Sequence, residues 1–183
     1  MKTINDNAPQ IYVACLASYN SGILHGKWID ASQGKESVWE EIKTIMKTST
    51  EDCAEEWAIH DYQGFHGVKI EEWESIDKLC ELAEAIQEHE EQESGKGEVF
   101  ASLYADYGLE GAKDMLNDNY MGCYKSEGEF IDQYLEDTGF FEGVSEHIKN
   151  YFDYDAYLRD LDMNGDIFSI VVKYDEHHYF HSR

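Results

Sequence analysis

Apolar residues in the N-terminal part of the chain form strand-like runs around one helical pattern. The runs QIYVACLA at 10–17, ILHGKWID at 23–30 and EWAIHDY at 56–62 are rich in β-branched and aromatic residues and predict three strands. Before the third run, Ser37 precedes Glu40 by three residues, a capping-box pattern that predicts the start of a helix. Together these elements predict a small α+β unit.

Between residues 71 and 93 the apolar residues recur at intervals of three and four, which predicts a long helix. Its expected buried stripe consists of Trp73, Ile76, Leu79, Cys80, Ala83 and Ile86. The remaining positions are mostly acidic, and they predict a solvent-exposed face dense in carboxylates. A loop at 94–97 and a second helical stretch at 99–116 follow.

Helical and strand patterns alternate again in the C-terminal third of the chain. Ser126 and Glu129 form a second capping box, and Gly139 marks the end of that helix. Its expected buried face consists of Phe130, Ile131, Tyr134 and Leu135. A short helical segment at 144–161 and a β-branched run, DIFSIVVKY, complete the pattern. The sequence therefore predicts an α+β fold with small antiparallel sheets and acidic helices.

One local segment, 160–167, resembles a calcium loop. Its sequence, DLDMNGDI, matches the first eight positions of an EF-hand, including the glycine at the sixth. The twelfth position is Val171 instead of glutamate, and a strand pattern replaces the exiting helix. We interpret the segment as a helix end followed by an Asn-Gly turn. An acidic calcium-binding module using the Asp160–Asp166 loop is the alternative hypothesis.

Histidines suggest two further sites, and we favour neither. His177, His178 and His181 lie within the last residues, where a frayed, solvated tail is the more common outcome than a metal site. His60 and Asp61 are neighbours on a predicted strand and point to opposite faces, so core or turn packing is expected instead of a catalytic pair. We predict no metal site and no cofactor.

Composition makes the acidic faces the main feature of the chain. The 183 residues include 39 Asp and Glu against 14 Lys and Arg, a net charge of −25, yet 42% of the residues are hydrophobic. This apolar content predicts a folded protein instead of an acidic disordered one, and the charge argues against direct nucleic-acid or membrane binding. Residues 1–50 and 167–183 are each neutral in sum, so residues 51–166 carry the whole excess.

Other function classes find little support in the sequence. Phosphate-binding loops, nucleophile elbows and nucleotide fingerprints are absent, and with so many acids chance carboxylate pairs carry no signal for a hydrolase. The N-terminus lacks an apolar signal core, and no apolar run reaches membrane-spanning length. We therefore expect a cytoplasmic, non-enzymatic protein with reduced cysteines.

The confined charge suggests imitation of nucleic acid. Duplex DNA carries about one negative charge per 1.7 Å of axis, so 25 charges correspond to roughly 40 Å of duplex. A folded element with carboxylates spaced along it could occupy a channel whose Lys and Arg side chains normally contact phosphates. The alternative is an acidic surface that is simply solvated.

Three segments resemble a known family. The run IYVACLASYNSGILHGKWID at 11–30 is similar to the N-terminal signature of the ArdA antirestriction proteins, and EWAIHDYQGF at 56–65 resembles their second signature. The segment NDNYMGCYKSEGEF at 117–130, called the motif segment below, resembles their acidic antirestriction motif. Lys125 and Gly128 stand where that family more often has acidic residues.

The resemblance implies an elongated protein of three tightly joined sub-domains, which on this sequence would span 1–65, 66–105 and 106–183. It implies a homodimer, carried by conjugative plasmids or transposons, that mimics bent DNA and inhibits type I restriction–modification enzymes at their methyltransferase core. The implied motif residues are Asn117, Asp118, Asn119, Tyr120, Gly122, Tyr124, Glu127, Glu129 and Phe130.

The expected DNA-mimicking surface consists of the carboxylates on the acidic faces of 71–93 and 106–166. They are Glu71, Glu72, Glu74, Asp77, Glu81, Glu84, Glu88, Asp106, Glu110, Asp114, Asp132, Glu136 and Asp137.

Overall fold

The chain folds into two compact units, Met1–Leu109 and Glu110–Arg183. The computed structural model describes residues 8–52 and 54–182. Each unit contains a three-stranded antiparallel sheet and several helices, which confirms the predicted α+β class. The finer division at residues 65 and 105 stays a prediction.

The sheet of the first unit has the order β2-β1-β3. Its strands are β1 (Gln10–Cys15), β2 (Gly26–Asp30) and β3 (Trp57–Gln63), and a short helix, α1 (Leu16–Asn20), follows β1. The register between β1 and β3 shifts after Tyr12, because Tyr12 opposes Asp61 whereas Val13 opposes Ile59. His60 is the extra residue of this bulge. It is exposed and meets the ring of Tyr19 edge-on, so it packs at the surface instead of in the core.

Helix α2 (Lys35–Thr48) follows a 3-10 turn at Ala31–Gln33 and covers the sheet with Val38, Ile42 and Ile45. The predicted capping box at Ser37 is wrong, because the helix begins at Lys35 and its N-cap lies three residues before Ser37. Gly34 occupies the N-cap with φ +93°, a left-handed conformation that glycine adopts without strain, and its carbonyl accepts from the Val38 N–H.

Helix α3 (Ile76–Gln92) packs on α2 and buries most of the predicted stripe. It begins at Ile76 instead of Glu71, because the Glu72 carbonyl accepts from the Ile59 N–H of β3 and holds the preceding residues in a turn. Trp73 lies in that turn and is 63% exposed, so its predicted burial is wrong.

Helix α4 (Lys96–Asp114) begins close to the end of α3. His89 of α3 stacks on Phe100 of α4 with ring centroids 4.6 Å apart. A Cβ at Gly97 would lie 2.9 Å from the Ile86 carbonyl oxygen, so glycine is needed at this contact between the two helices. The continuous helix predicted at 99–116 is interrupted at Gly108, where φ is +70°.

The second unit has the sheet order β4-β6-β5. A π-helical turn at Met115–Asn119 leads into β4 (Tyr120–Tyr124), and helices α5 (Glu127–Asp137), α6 (Glu146–Lys149) and α7 (Tyr154–Met163) precede β5 (Ile167–Lys173) and β6 (Glu176–His181). Its core joins α5, α7 and the sheet through Phe130, Ile131, Leu135, Leu161, Ile167 and Tyr179.

Two C-terminal predictions have opposite outcomes. The interpretation of 160–167 as a helix end and turn is confirmed, because α7 ends at Met163, Gly165 has φ +74° and β5 follows. The predicted frayed histidine tail is wrong. His177, His178 and His181 belong to β6, the central strand of its sheet. His177 and His178 pair with both β4 and β5, and His181 pairs with Ile167 of β5.

Candidate interaction surface

The motif segment is built around an edge strand. It comprises the end of the π-helical turn, all of β4, a two-residue link and the first turn of α5. The Asn119 side-chain amide donates to the His181 carbonyl at 3.2 Å, which fastens the start of β4 to the end of β6. The segment therefore carries both sheet pairing and the entry into an acidic helix.

Tyr120 packs on one face of this sheet. Its ring lies 5.2 Å from that of Phe180 and 5.9 Å from that of His178, both on β6. Its hydroxyl and Nδ1 of His178 are 2.9 Å apart and share a hydrogen bond. The other ring nitrogen of His178 lies 3.7 Å from a carboxylate oxygen of Glu176, and the His178 side chain is completely buried. Tyr120 thus closes a polar cluster inside the second unit.

The opposite face of the sheet packs on α5 through an aromatic stack. Phe130 and Tyr179 are parallel with centroids 3.6 Å apart, and the Tyr124 ring meets both edge-on. Burial raises the pKa of Tyr179 to about 12, with Glu127 and Asp162 adding to the effect. The pKa of Tyr124 is also raised, first by burial and then by Asp137 and Glu129. Both hydroxyls therefore stay neutral at physiological pH.

Gly122 permits the close turn of β4 over this stack. Its φ is +136°, and a Cβ there would lie 3.3 Å from the ring of Tyr124. The Tyr124 hydroxyl in turn donates to the Met121 carbonyl at 3.2 Å. A side chain at position 122 would meet both backbone strain and crowding against that ring.

The polar residues of the motif segment face solvent. Asn117, Asp118, Glu127 and Glu129 are exposed. The capping box predicted at Ser126 is confirmed, because its hydroxyl accepts from the Glu129 N–H at 3.2 Å. The Glu129 carboxylate accepts from the Lys125 N–H at 2.6 Å, one residue before the usual partner. The aromatic residues of the motif segment build the unit, and its carboxylates coat it.

The densest acidic face of the first unit lies on α3. Asp77, Glu81, Glu84 and Glu88 follow intervals of four, three and four residues, so they share one side of the helix, and all four are exposed. With a rise of about 1.5 Å per residue, these four charges span roughly 16 Å. A single DNA strand carries one phosphate per about 3.4 Å of axis, so the helical row has somewhat less than its charge density.

The second unit carries its own acidic face. Asp132, Glu136 and Asp137 lie on the exposed side of α5, opposite the buried Phe130 and Leu135. Glu110 and Asp114, near the end of α4, are also exposed. The first unit holds 22 acidic and 8 basic residues, a net of −14, and the second holds 17 and 6, a net of −11. Each unit is therefore strongly anionic by itself.

Most carboxylates of the described residues are exposed to water. Within 8–52 and 54–182, no Asp or Glu is buried, and twelve of the thirteen residues expected on the DNA-mimicking surface are exposed, Glu74 being half-buried. Three of the thirteen contact a lysine: Glu71 pairs with Lys69, Asp77 with Lys35 and Glu110 with Lys113. These are exposed pairs, which are screened by solvent and contribute little to stability.

The chain matches the model of one protein family over most of its length. A family model described as antirestriction protein (ArdA) matches residues 11–176, nearly the whole chain. The chain belongs to the ArdA antirestriction family. Comparison with curated proteins finds no matching sequence. The ArdA match begins at the second residue of β1 and ends at the first residue of β6, so it includes the first sheet, the helices and the motif segment and leaves out most of β6.

Two strands of this ArdA protein, β4 and β6, have no clear strand pattern in the sequence. The alternation in the motif segment is masked by Gly122 and Cys123, so β4 is missed, and its partner β6 is missed with it. The described part of the chain contains no group of three His, Cys, Asp or Glu side chains placed to hold a metal ion. No described helix has the length and apolarity needed to cross a membrane.

Proposed function

We propose that this antirestriction protein acts as a DNA mimic, an inhibitor without enzymatic chemistry. In this proposal it occupies the DNA-binding site of type I restriction–modification enzymes, at the methyltransferase core, and blocks restriction together with modification. Its exposed carboxylates take the positions of phosphates against the Lys and Arg side chains of that site.

The observation that carries the proposal is a net charge of −25 confined to residues 51–166 and displayed on exposed side chains. A folded surface of like charges repels itself, and so many of them disfavour the compact state. A surface that served only solubility would need fewer charges, and they could be spread over residues 1–50 as well. A binding site for a basic channel accounts for both the excess and its confinement.

Association as a homodimer extends the same reasoning. Two copies would carry −50, which corresponds to roughly 80 Å of duplex on the scale of one charge per 1.7 Å. Family membership supports this assembly, a cytoplasmic location and carriage on conjugative plasmids or transposons. The benefit to such an element is protection of incoming DNA from host restriction.

Inhibition kinetics test the proposal. DNA cleavage and methylation by a purified type I enzyme are measured with increasing amounts of the protein, at several concentrations of substrate duplex. Competitive inhibition is expected, with an apparent inhibition constant that rises linearly with duplex concentration. An inhibition constant independent of duplex concentration would overturn the proposal.

A further inference from the structure

Three tryptophans form an open cleft in the first unit that the acidic surface alone does not explain. Trp39 of α2 and Trp57 of β3 meet edge-on with centroids 5.7 Å apart. Together with Trp73 and residues 74–77 they line a cavity of about 420 Å³, which we call the tryptophan cleft. This volume lies within the range of small-ligand sites.

Carboxylates border the aromatic walls of the cleft. Glu74 and Asp77 are among its lining residues, and Asp77 Oδ1 accepts from the Trp39 indole N–H at 3.4 Å. Its other oxygen, Oδ2, lies 3.7 Å from Nζ of Lys35, so a cation already approaches this carboxylate. The cleft therefore combines indole faces, which attract cations, with negative charge at its edge.

We propose that the tryptophan cleft receives the guanidinium group of an arginine on the DNA-binding surface of the target enzyme, an inference that rests on the proposed function. Charge complementarity selects the occupant, because the unit carries a net of −14 and a DNA-binding surface is basic. The planar guanidinium stacks on an indole while it donates to a carboxylate, which an ammonium group does less well.

Exposure of Trp73 supports this role for the cleft. The side chain is 63% exposed on a highly charged surface, held outward by the turn that pairs Glu72 with β3. Tryptophan, tyrosine and arginine are enriched among the residues that dominate binding energy in protein interfaces. The carboxylates supply long-range attraction that any basic surface would satisfy, and the cleft adds a contact that depends on the shape of one side chain.

Titration with N-acetyl-arginine amide tests the cleft without any enzyme. The indole N–H resonances of Trp39, Trp57 and Trp73 are expected to shift in a saturable way, whereas that of Trp28, which packs on Tyr12 outside the cleft, stays in place. The citrulline derivative, neutral and nearly isosteric, should give no shift. Equal shifts with the citrulline or lysine derivative, or none with arginine, would overturn the proposal.

Substitution of Lys35 sharpens this titration. Lys35→Met removes the cation that competes for Asp77, so the arginine derivative should bind more tightly by a factor of a few. Trp73→Leu keeps an apolar side chain but removes the π face, so it should bind the derivative more weakly. An affinity unchanged in both variants would contradict the inferred site.

Binding to a purified type I methyltransferase core separates this inference from the proposed function. Trp73→Leu is expected to weaken binding about five- to thirty-fold, with Trp73→Phe partly restoring it, whereas the control Tyr107→Leu removes another exposed aromatic and changes little. If wild-type protein competes with DNA and Trp73→Leu binds equally well, the cleft proposal fails alone. If arginine titrates the cleft but wild-type protein does not bind the enzyme, the proposed function fails, and the cleft remains a guanidinium site without its assigned partner.

Discussion

Removal of two carboxylates from α3 separates the function of the acidic surface from its effect on folding. Glu84 and Glu88 lie four residues apart on the exposed side of that helix, about 6 Å along its axis. The double variant Glu84→Gln/Glu88→Gln keeps side-chain size and hydrogen-bonding capacity and removes two charges. We expect it to fold normally and to bind the restriction enzyme more weakly.

The magnitude follows from counterion release. Each phosphate contact contributes about 0.9 to the slope of log affinity against log salt, so two equivalent carboxylates contribute at most about 1.8. At 0.1 M salt this slope corresponds to a loss of up to about 60-fold in affinity. Stability should change in the opposite direction, because like charges at this spacing destabilise a helix by about 0.2–0.5 kcal/mol.

The assay measures affinity for a purified type I methyltransferase core at four or more salt concentrations, together with urea unfolding of each variant. The matched control is Glu36→Gln/Glu40→Gln, which removes two exposed carboxylates at the same spacing from α2. Helix α2 lies within residues 1–50, which carry no net charge and are outside the expected contact surface. We expect the control to keep the wild-type salt slope. Equal slopes for both double variants would refute the assignment of the contact surface to the α3 face.

The remaining predictions concern the folded units. Phe130→Ala empties the parallel stack with Tyr179 and should lower the free energy of unfolding by about 3–5 kcal/mol in urea titration, whereas Tyr174→Ala, at a side chain 96% exposed, should change it by less than about 0.5 kcal/mol. Burial, reinforced by Glu84 and Asp77, raises the pKa of Cys80 to about 12, whereas the unfolded thiol titrates near 9. Above pH 9 the unfolded thiol loses its proton while the folded one keeps it. The contribution of Cys80 to the free energy of unfolding is therefore constant below pH 9 and falls between about pH 9 and 12, by up to about 1.4 kcal/mol per pH unit. In urea titrations over that interval, Cys80→Ala should show a shallower decline than the wild-type protein. Sodium chloride should raise the thermal midpoint of the wild-type protein, because it screens the mutual repulsion of the carboxylates; a midpoint that falls with salt would contradict this reasoning.

Helical periodicity and charge predicted the parts of the fold in which each residue depends on its close neighbours in sequence. The stripe of α3 and the buried face of α5 are confirmed because positions three and four apart share one face of a helix. The acidic face of α3 follows from the same geometry. Periodicity alone therefore assigns most of the expected surface residues to exposed positions.

Contacts between distant residues explain most of the errors. The spacing of Trp73 fits the helical stripe. However, the Ile59 N–H donates to the Glu72 carbonyl, and this hydrogen bond holds Trp73 in a turn before the helix begins. The histidine tail looks solvated by composition, yet pairing with β4 and β5 makes it the centre of a sheet. Neither contact has a signal in the local sequence, because each depends on a partner elsewhere in the chain.

The candidate interaction surface likewise contains features that local sequence predicts and features that depend on tertiary packing. Solvent exposure of Glu127 and Glu129 and burial of Phe130 follow from the amphipathic pattern of α5 and its capping box, whereas the packing of Tyr124 depends on β4, which has no clear strand pattern. The tryptophan cleft does not, because it joins α2, β3 and the turn before α3. A site assembled from three elements becomes visible when their packing is known.

Displacement of DNA from a type I methyltransferase core tests the central claim most directly. A labelled duplex containing the recognition sequence is bound to the purified core, the protein is added at fixed salt, and release of the duplex is followed together with formation of the protein–protein complex. DNA mimicry predicts complete displacement, with one ligand excluding the other and a midpoint that scales with duplex concentration. A ternary complex that retains the duplex would contradict the account.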